Sequence, residues 1–275
     1  MVETQYKAVG DINIAYEDWQ TASPASTKTV LLLHGWGASK ELYHSVAAAL
    51  SGKGNARVIA LDFPGFGKSS VPAAVWGVDD FVSAVIGLLE QLDIHRVDMV
   101  IGHSHGGRVA LKAAVQYPKR FGKLLLIGSA GIPSPPSFKK SLKVRLFKSC
   151  RKLVELFVPA GEKRESLLDV LRGYFGSADY RDAGAMRQSL VAVLREDLTP
   201  ILPQVSQPTL LVWGENDTDS PLRTAKIMEA NIPDAGLVVW EGAGHYAFLD
   251  KPEHFERVAL HFLAGESRVV QEQVG

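Results

Sequence analysis

Val97-Asp98-Met99-Val100-Ile101-Gly102-His103-Ser104-His105-Gly106-Gly107 is the stretch on which the fold turns. Val97 to Ile101 is a short apolar run of the kind that forms a buried strand. Gly106 to Tyr117 has helical spacing, with Pro118 just past its end. Between them, Gly102-His103-Ser104-His105-Gly106 fits G-x-S-x-G. So short a motif arises readily by chance, but between strand and helix it has the setting that its chemistry requires. The turn must be tight for the serine hydroxyl to project from the sheet edge, and glycine on both sides lets backbones approach without a Cβ clash. The helix N-terminus behind it favours negative charge developing nearby. Ser104 is therefore the candidate nucleophile.

The same alternation extends in both directions. Thr4 to Val9 and Ile12 to Asp18 read as a hairpin around Gly10-Asp11. Thr29 to His34 and Arg57 to Leu61 read as central strands, and Leu42 to Leu50 and Val78 to Leu92 as helices. Leu124 to Ile127, Thr209 to Trp213 and Leu237 to Trp240 are further strands, and Pro252 to Leu263 is a closing helix. Strands alternating with helices predict an α/β fold with a mostly parallel sheet covered by helices. Ile132-Pro133-Ser134-Pro135-Pro136 interrupts the pattern, and from Phe138 to about Pro200 only helical patterns occur. An insertion of about 65 residues is too long for a plain loop. The predicted division is a core of 1–132 and 201–275, with a helical cap over 133–200. The cap begins with a run of basic residues (Lys139, Lys140, Lys143, Arg145, Lys148, Arg151, Lys152), which reads first as a solvated helix face and second as an anion- or membrane-binding patch. The tail from Glu266 to Gly275 is polar and reads as frayed.

Size and composition bound the functional classes. The chain has 275 residues, 46% hydrophobic and 22% charged, which is ordinary globular composition. Thirty basic residues balance thirty acidic ones, so charge points to no nucleic-acid partner. The single cysteine, Cys150, can form neither an internal disulfide nor a cysteine-based zinc site. The start, Met1-Val2-Glu3-Thr4-Gln5, lacks the pattern of a signal peptide, and no run reaches the ~18 apolar residues that span a bilayer. The expectation is a cytoplasmic protein with a small-molecule substrate and no cofactor, metal or membrane span. Oligomeric state is not legible.

A serine hydroxyl needs a base, and histidine suits that work near neutral pH. Of eight histidines, His245 lies in the loop Gly242-Ala243-Gly244-His245 just past the last strand, on the sheet edge that carries Ser104. His34 and His103 adjoin glycine turns and read as loop-orienting residues. His44 and His95 have no motif context, and His254 and His261 fall on the closing helix. The third member should be a carboxylate that orients the imidazole. Gly214-Glu215-Asn216-Asp217-Thr218-Asp219 follows a strand, and spacing alone leaves Glu215, Asp217 and Asp219 as candidates.

With these motifs in place, the chain resembles the α/β-hydrolase fold family over nearly all of residues 1–265. His34-Gly35-Trp36-Gly37 after a central strand, Asp62-Phe63-Pro64-Gly65-Phe66-Gly67-Lys68-Ser69, and Gly214 to Asp217 followed by Pro221 carry the resemblance, with the order Ser104, Asp217, His245. It implies Asp217 as the acid, an oxyanion hole made by the backbone amides of Trp36 and His105, and a cap over 133–200. It also implies a substrate pocket that includes Trp36 and His103. Members of this fold that use an aspartate nucleophile cleave haloalkanes or epoxides. Ser104 in that position favours acyl transfer instead. The expected activity is hydrolysis of a carboxylic ester through an acyl-enzyme. The alternatives are the same triad acting on lactones, thioesters, amides or activated carbon–carbon bonds, or a non-turnover ligand-binding receptor or scaffold.

Overall fold

A computed structural model describes residues 2–21, 28–133, 138–175 and 178–265. The polar tail 266–275 and the proline-rich stretch 134–137 lie outside the described residues. The chain opens with a hairpin of β1 (Gln5–Val9) and β2 (Ile12–Trp19), turned at Gly10. β3 (Thr29–Leu33) follows, then a 3-10 turn over Lys40–Tyr43 and α1 (His44–Gly52). β4 (Arg57–Leu61), α2 (Val78–Gln91), β5 (Val97–His103), α3 (His105–Gln116) and β6 (Phe121–Ile127) continue the alternation.

Four helices then intervene: α4 (Phe138–Phe157), α5 (Glu162–Phe175), α6 (Ala178–Asp182) and α7 (Arg187–Arg195). β7 (Thr209–Gly214), α8 (Leu222–Asn231), β8 (Ala235–Trp240), α9 (Ala247–Asp250) and α10 (Pro252–Ala264) complete the chain. The strands predicted from apolar runs all form. The helix after Ser104 begins one residue earlier than its spacing predicted, at His105, because the turn is so abrupt that Ser104 itself is the cap.

The eight strands form one sheet in the order β1-β2-β4-β3-β5-β6-β7-β8. The β1–β2 and β2–β4 pairings are antiparallel and the remaining five are parallel. Alternation within each strand builds two cores. Leu31 and Leu33 of β3 and Leu124 and Leu126 of β6 pack on the side of α2 and α3. Val30 and Leu32, Leu125 and Ile127 pack on the side of α1 and α10. Both faces are covered, so the central strands must be apolar throughout, which is why they read as continuous runs. The chain goes from β3 to β4 on one side of the sheet and then returns to β5 on the other side of β3. That reversal opens a crevice at the carboxyl ends of β3 and β5, where ligands of open α/β sheets bind. Ser104 and the His34–Gly37 turn lie there.

Among the described residues no helix is long and apolar enough to cross a membrane, and no His, Cys, Asp and Glu cluster could hold a metal ion.

Candidate active site

Ser104 connects β5 to α3 with φ 50° and ψ −110°, in a region that L-residues seldom enter. Such backbone costs about 1–3 kcal/mol and persists only where its surroundings enforce it. Here the Ser104 amide donates to the Ile127 carbonyl (3.0 Å), and its carbonyl accepts from Ala130 (3.0 Å) and Arg108 (3.2 Å). A Cβ on Gly106 would lie 2.0 Å from the Leu33 carbonyl oxygen, so α3 starts against β3 only because that residue has no side chain. The close packing aims the α3 N-terminus at the crevice.

His245 and Asp217 meet across two loops. The His245 Nδ1–H donates to Asp217 Oδ2 at 2.8 Å. Asp217 Oδ1 accepts from the amides of Asp219 (2.9 Å) and Ser220 (2.8 Å), so the buried carboxylate has three donors and one orientation. Its two neighbours differ. Glu215 and Asp219 are exposed, and Glu215 Oε2 accepts only from the Gly242 amide at 3.3 Å. Of the three acids that spacing left open, Asp217 is the one joined to the imidazole. Gly128, at the end of β6, adopts φ 49°. A Cβ there would come within 3.0 Å of Asp217 Oδ2 and 3.1 Å of His245 Nδ1.

The turn after β3 lies on the opposite flank of Ser104. A Cβ on Gly35 would be 3.3 Å from the Ser104 Cβ, which brings the backbone of Gly35 and Trp36 beside the serine. The His34 ring, fully buried, accepts from the Phe63 amide at Nε2 (2.9 Å). Its proton therefore sits on Nδ1, which donates to the Gly35 carbonyl (2.7 Å). Burial pushes the His34 pKa down, so the neutral tautomer persists. Fixing the Gly35 carbonyl fixes the same peptide plane that carries the Trp36 N–H. The Trp36 indole is half-buried, edge-on to Phe66 at 4.8 Å and to the His105 ring at 5.4 Å. The His105 amide opens α3, where the first N–H groups have no intrahelical acceptor.

Two side chains differ from expectation or escaped it. His103 does not line a pocket. Its ring is 1% exposed, its Nε2–H donates to the His245 carbonyl (3.0 Å), and it packs against the rings of His245, Tyr246 and Phe248. Burial pushes its pKa down to about 3. It supports the His245 loop from behind. Lys40 is fully buried, which no sequence signal marks. Its ammonium meets Glu41 (2.8 Å) and Asp62 (3.1 Å), while Asp62 also accepts from the amides of Lys40 and Lys68. This network ties the turn after β3 to the Asp62–Ser69 loop. His44 pairs with Glu17 and His95 with Asp93, both outside the crevice.

Comparisons with known proteins follow the same outline. The pattern of the alpha/beta hydrolase family matches residues 30–258. The chain is 30% identical over 270 residues to 2-hydroxy-6-oxononadienedioate/2-hydroxy-6-oxononatrienedioate hydrolase of Burkholderia vietnamiensis, covering 92% of this chain and 91% of that one. It is 30% identical over 261 residues to 2-hydroxy-6-oxo-6-phenylhexa-2,4-dienoate hydrolase of Comamonas testosteroni, covering 86% and 87%. Among solved structures, the esterase of Exiguobacterium antarcticum superposes with a TM-score of 0.72 at 25% identity, covering 96% of this chain and 100% of that one. With the sheet order, the strained serine turn and this match over most of its length, the chain belongs to the alpha/beta hydrolase family.

Proposed function

We propose that this protein is a serine hydrolase that cleaves carboxylic esters through an acyl-enzyme. The observation that carries the reading is the 2.8 Å hydrogen bond from half-buried His245 to buried Asp217, on the sheet edge that also presents the strained Ser104. In this mechanism Ser104 Oγ attacks the substrate carbonyl carbon and His245 Nε2 takes its proton. Asp217 holds the imidazole with Nδ1 protonated and stabilises the imidazolium. The amides of Trp36 and His105 donate to the oxygen that gains negative charge. His245 returns the proton to the leaving alcohol, and water then releases the acyl group by the same route. The helices of residues 133–200 act as the cap. Half-buried Trp36 and Phe66, packed edge to face with Phe81 buried behind Trp36, give the crevice an aromatic wall suited to an apolar acyl group. The lone Cys150 suits a reducing, cytoplasmic setting.

A second reading is favoured by the names of two relatives, which are hydrolases of 2-hydroxy-6-oxo-dienoates. On this reading the bond broken is carbon–carbon, and the leaving carbon must be protonated where an ester would release an alcohol. A panel of p-nitrophenyl esters of increasing acyl length, run beside a 2-hydroxy-6-oxo-dienoate, separates the two. The ester reading predicts turnover of esters well above that of the dienoate. The reverse ranking replaces it with the carbon–carbon reading. Labelling of Ser104 by a fluorophosphonate without turnover on any of these would favour a binding protein on the same fold.

A further inference from the structure

The helical insertion carries a surface that the proposed chemistry does not use. On α4, Leu146, Leu153, Leu156 and Phe157 are exposed, the last two to 73% and 74%. At about 100° per residue their spacing gathers them into one stripe roughly 100° wide. Ser149 falls within the stripe, and exposed Arg145 and Lys152 border it on one side. Half-buried Phe147 and Val154 lie outside it, and α4 packs on α5. α5 adds exposed Leu167 and Val170, one helical turn apart. A solvated helix face explains the lysines and arginines. It does not explain large apolar side chains left in water beside them.

The charge of this helix is also out of proportion. From Phe138 to Phe157 the sequence has seven basic residues and one acidic residue, Glu155, a net of +6, in a chain whose total is zero. Glu155 is already paired with Arg151 within the helix. The rest of the chain therefore carries the compensating net charge of −6, which makes α4 the basic segment of an otherwise acidic chain.

We propose that α4 docks this protein on the surface of an anionic phospholipid bilayer. The apolar stripe would enter the boundary between headgroups and acyl chains, and the flanking Arg145, Lys148 and Lys152 would meet lipid phosphates. A second copy of the chain fits the same stripe less well. Two-fold pairing of α4 with its mate would bring like-charged flanks together in a drying interface, where repulsion costs most. An anionic bilayer satisfies both the apolar and the basic component. The inference is independent of which bond the active site cleaves.

Co-sedimentation of the full chain with phosphatidylcholine vesicles, with and without phosphatidylglycerol, tests it. Retention is expected on the anionic vesicles, weakened by salt and poor on phosphatidylcholine alone. The triple variant L153E/L156E/F157E should lose retention by roughly tenfold or more, with an unchanged circular dichroism melt. K148E/K152E should lose it as well. Should the triple variant fail to fold, L156S/F157S is read in its place. No retention of the wild type on anionic vesicles overturns the proposal, as does equal retention of wild type and folded apolar variant. Equal binding to both vesicle types overturns it too. Wild-type self-association that the apolar variant abolishes, in the absence of vesicle binding, assigns the stripe to a second copy.

Discussion

At the carboxyl edge of the sheet, His34, His103, Asp62 and Asp217 are almost wholly buried, and each is held by specific hydrogen bonds. On α4 and α5, Leu156, Phe157 and Val170 stand more than half exposed. α7 is intermediate. Arg108 of α3 donates to the carbonyls of Val193 and Glu196 at its end, and the Trp76 amide donates to Ser189 Oγ. The comparison separates tasks. Reacting groups need positions set within tenths of an ångström, and burial with full hydrogen bonding supplies that. A surface that meets a substrate entrance or a partner needs accessible apolar area. α7 is hydrogen-bonded to the core, whereas α4 and α5 pack chiefly on each other.

The comparison can be broken most decisively at the sheet edge. Ser104→Ala should lower kcat by at least about 10³-fold with little change in melting temperature, and retained activity in a contaminant-free preparation would remove the serine from the mechanism. Asp217→Asn should keep the fold and lower kcat by about 10²–10⁴-fold, because an amide can stabilise the wrong imidazole tautomer. A loss confined to KM would contradict that role. Glu215→Gln, one exposed acid away, should leave kcat within about twofold, the ordinary range for a surface change.

At the joint between the regions the readout is stability. Arg108 is 5% exposed, and burial pulls its pKa down to about 10, so it stays cationic at neutral pH. Arg108→Met leaves two carbonyls at the end of α7 without their donor. It should cost about 2–4 kcal/mol in denaturant unfolding. A neutral result would mean that packing and the Trp76–Ser189 hydrogen bond suffice to hold α7.

The smallest effect sharpens the rule about burial. Both ring nitrogens of His105 are buried without a hydrogen-bond partner, among Trp36, Phe63 and Phe81. Burial pushes its pKa well below the ordinary value, as it does for His34 and His103. Below about pH 6.5 the unfolded chain binds protons at these sites and the folded chain does not. Stability is therefore fully present above that pH and is lost as pH falls, by about 1.4 kcal/mol per pH unit for each histidine. His105→Met should be neutral or stabilising by up to about 1 kcal/mol at pH 7 and should flatten the acid limb. An unchanged limb in thermal melts between neutral and mildly acidic pH would show that His105 titrates normally.

Much of the site was legible because its chemistry demands particular residues at particular junctions. Ser104 follows a strand and opens a helix, and His245 follows the last strand. Spacing alone left Asp217 as one of three acids, the family resemblance singled it out, and the contact with His245 distinguishes it from Glu215 and Asp219 by geometry. His103 shows a subtler limit. It shares strand parity with Met99 and Ile101, which face the α1 and α10 side, so alternation already turned it away from the crevice. What it would meet there, the carbonyl of a residue 142 positions later, was not local information. Lys40 was invisible because a lysine in a loop reads as solvent-exposed. Only the convergence of Asp62 and Glu41 makes its burial tolerable.

The sequence by itself determined the alternation of strands and helices, the mostly parallel sheet and the junction that strains Ser104. Each follows from hydrophobic period and from glycine at close approaches, which are local properties. Tertiary structure alone decided the hydrogen bonds that hold Asp217 against His245, which histidines are kept neutral by burial, and which helix face of the insertion is left in water. Those depend on what distant segments bring to the same place, and burial and hydrogen bonding exist only once they are brought together.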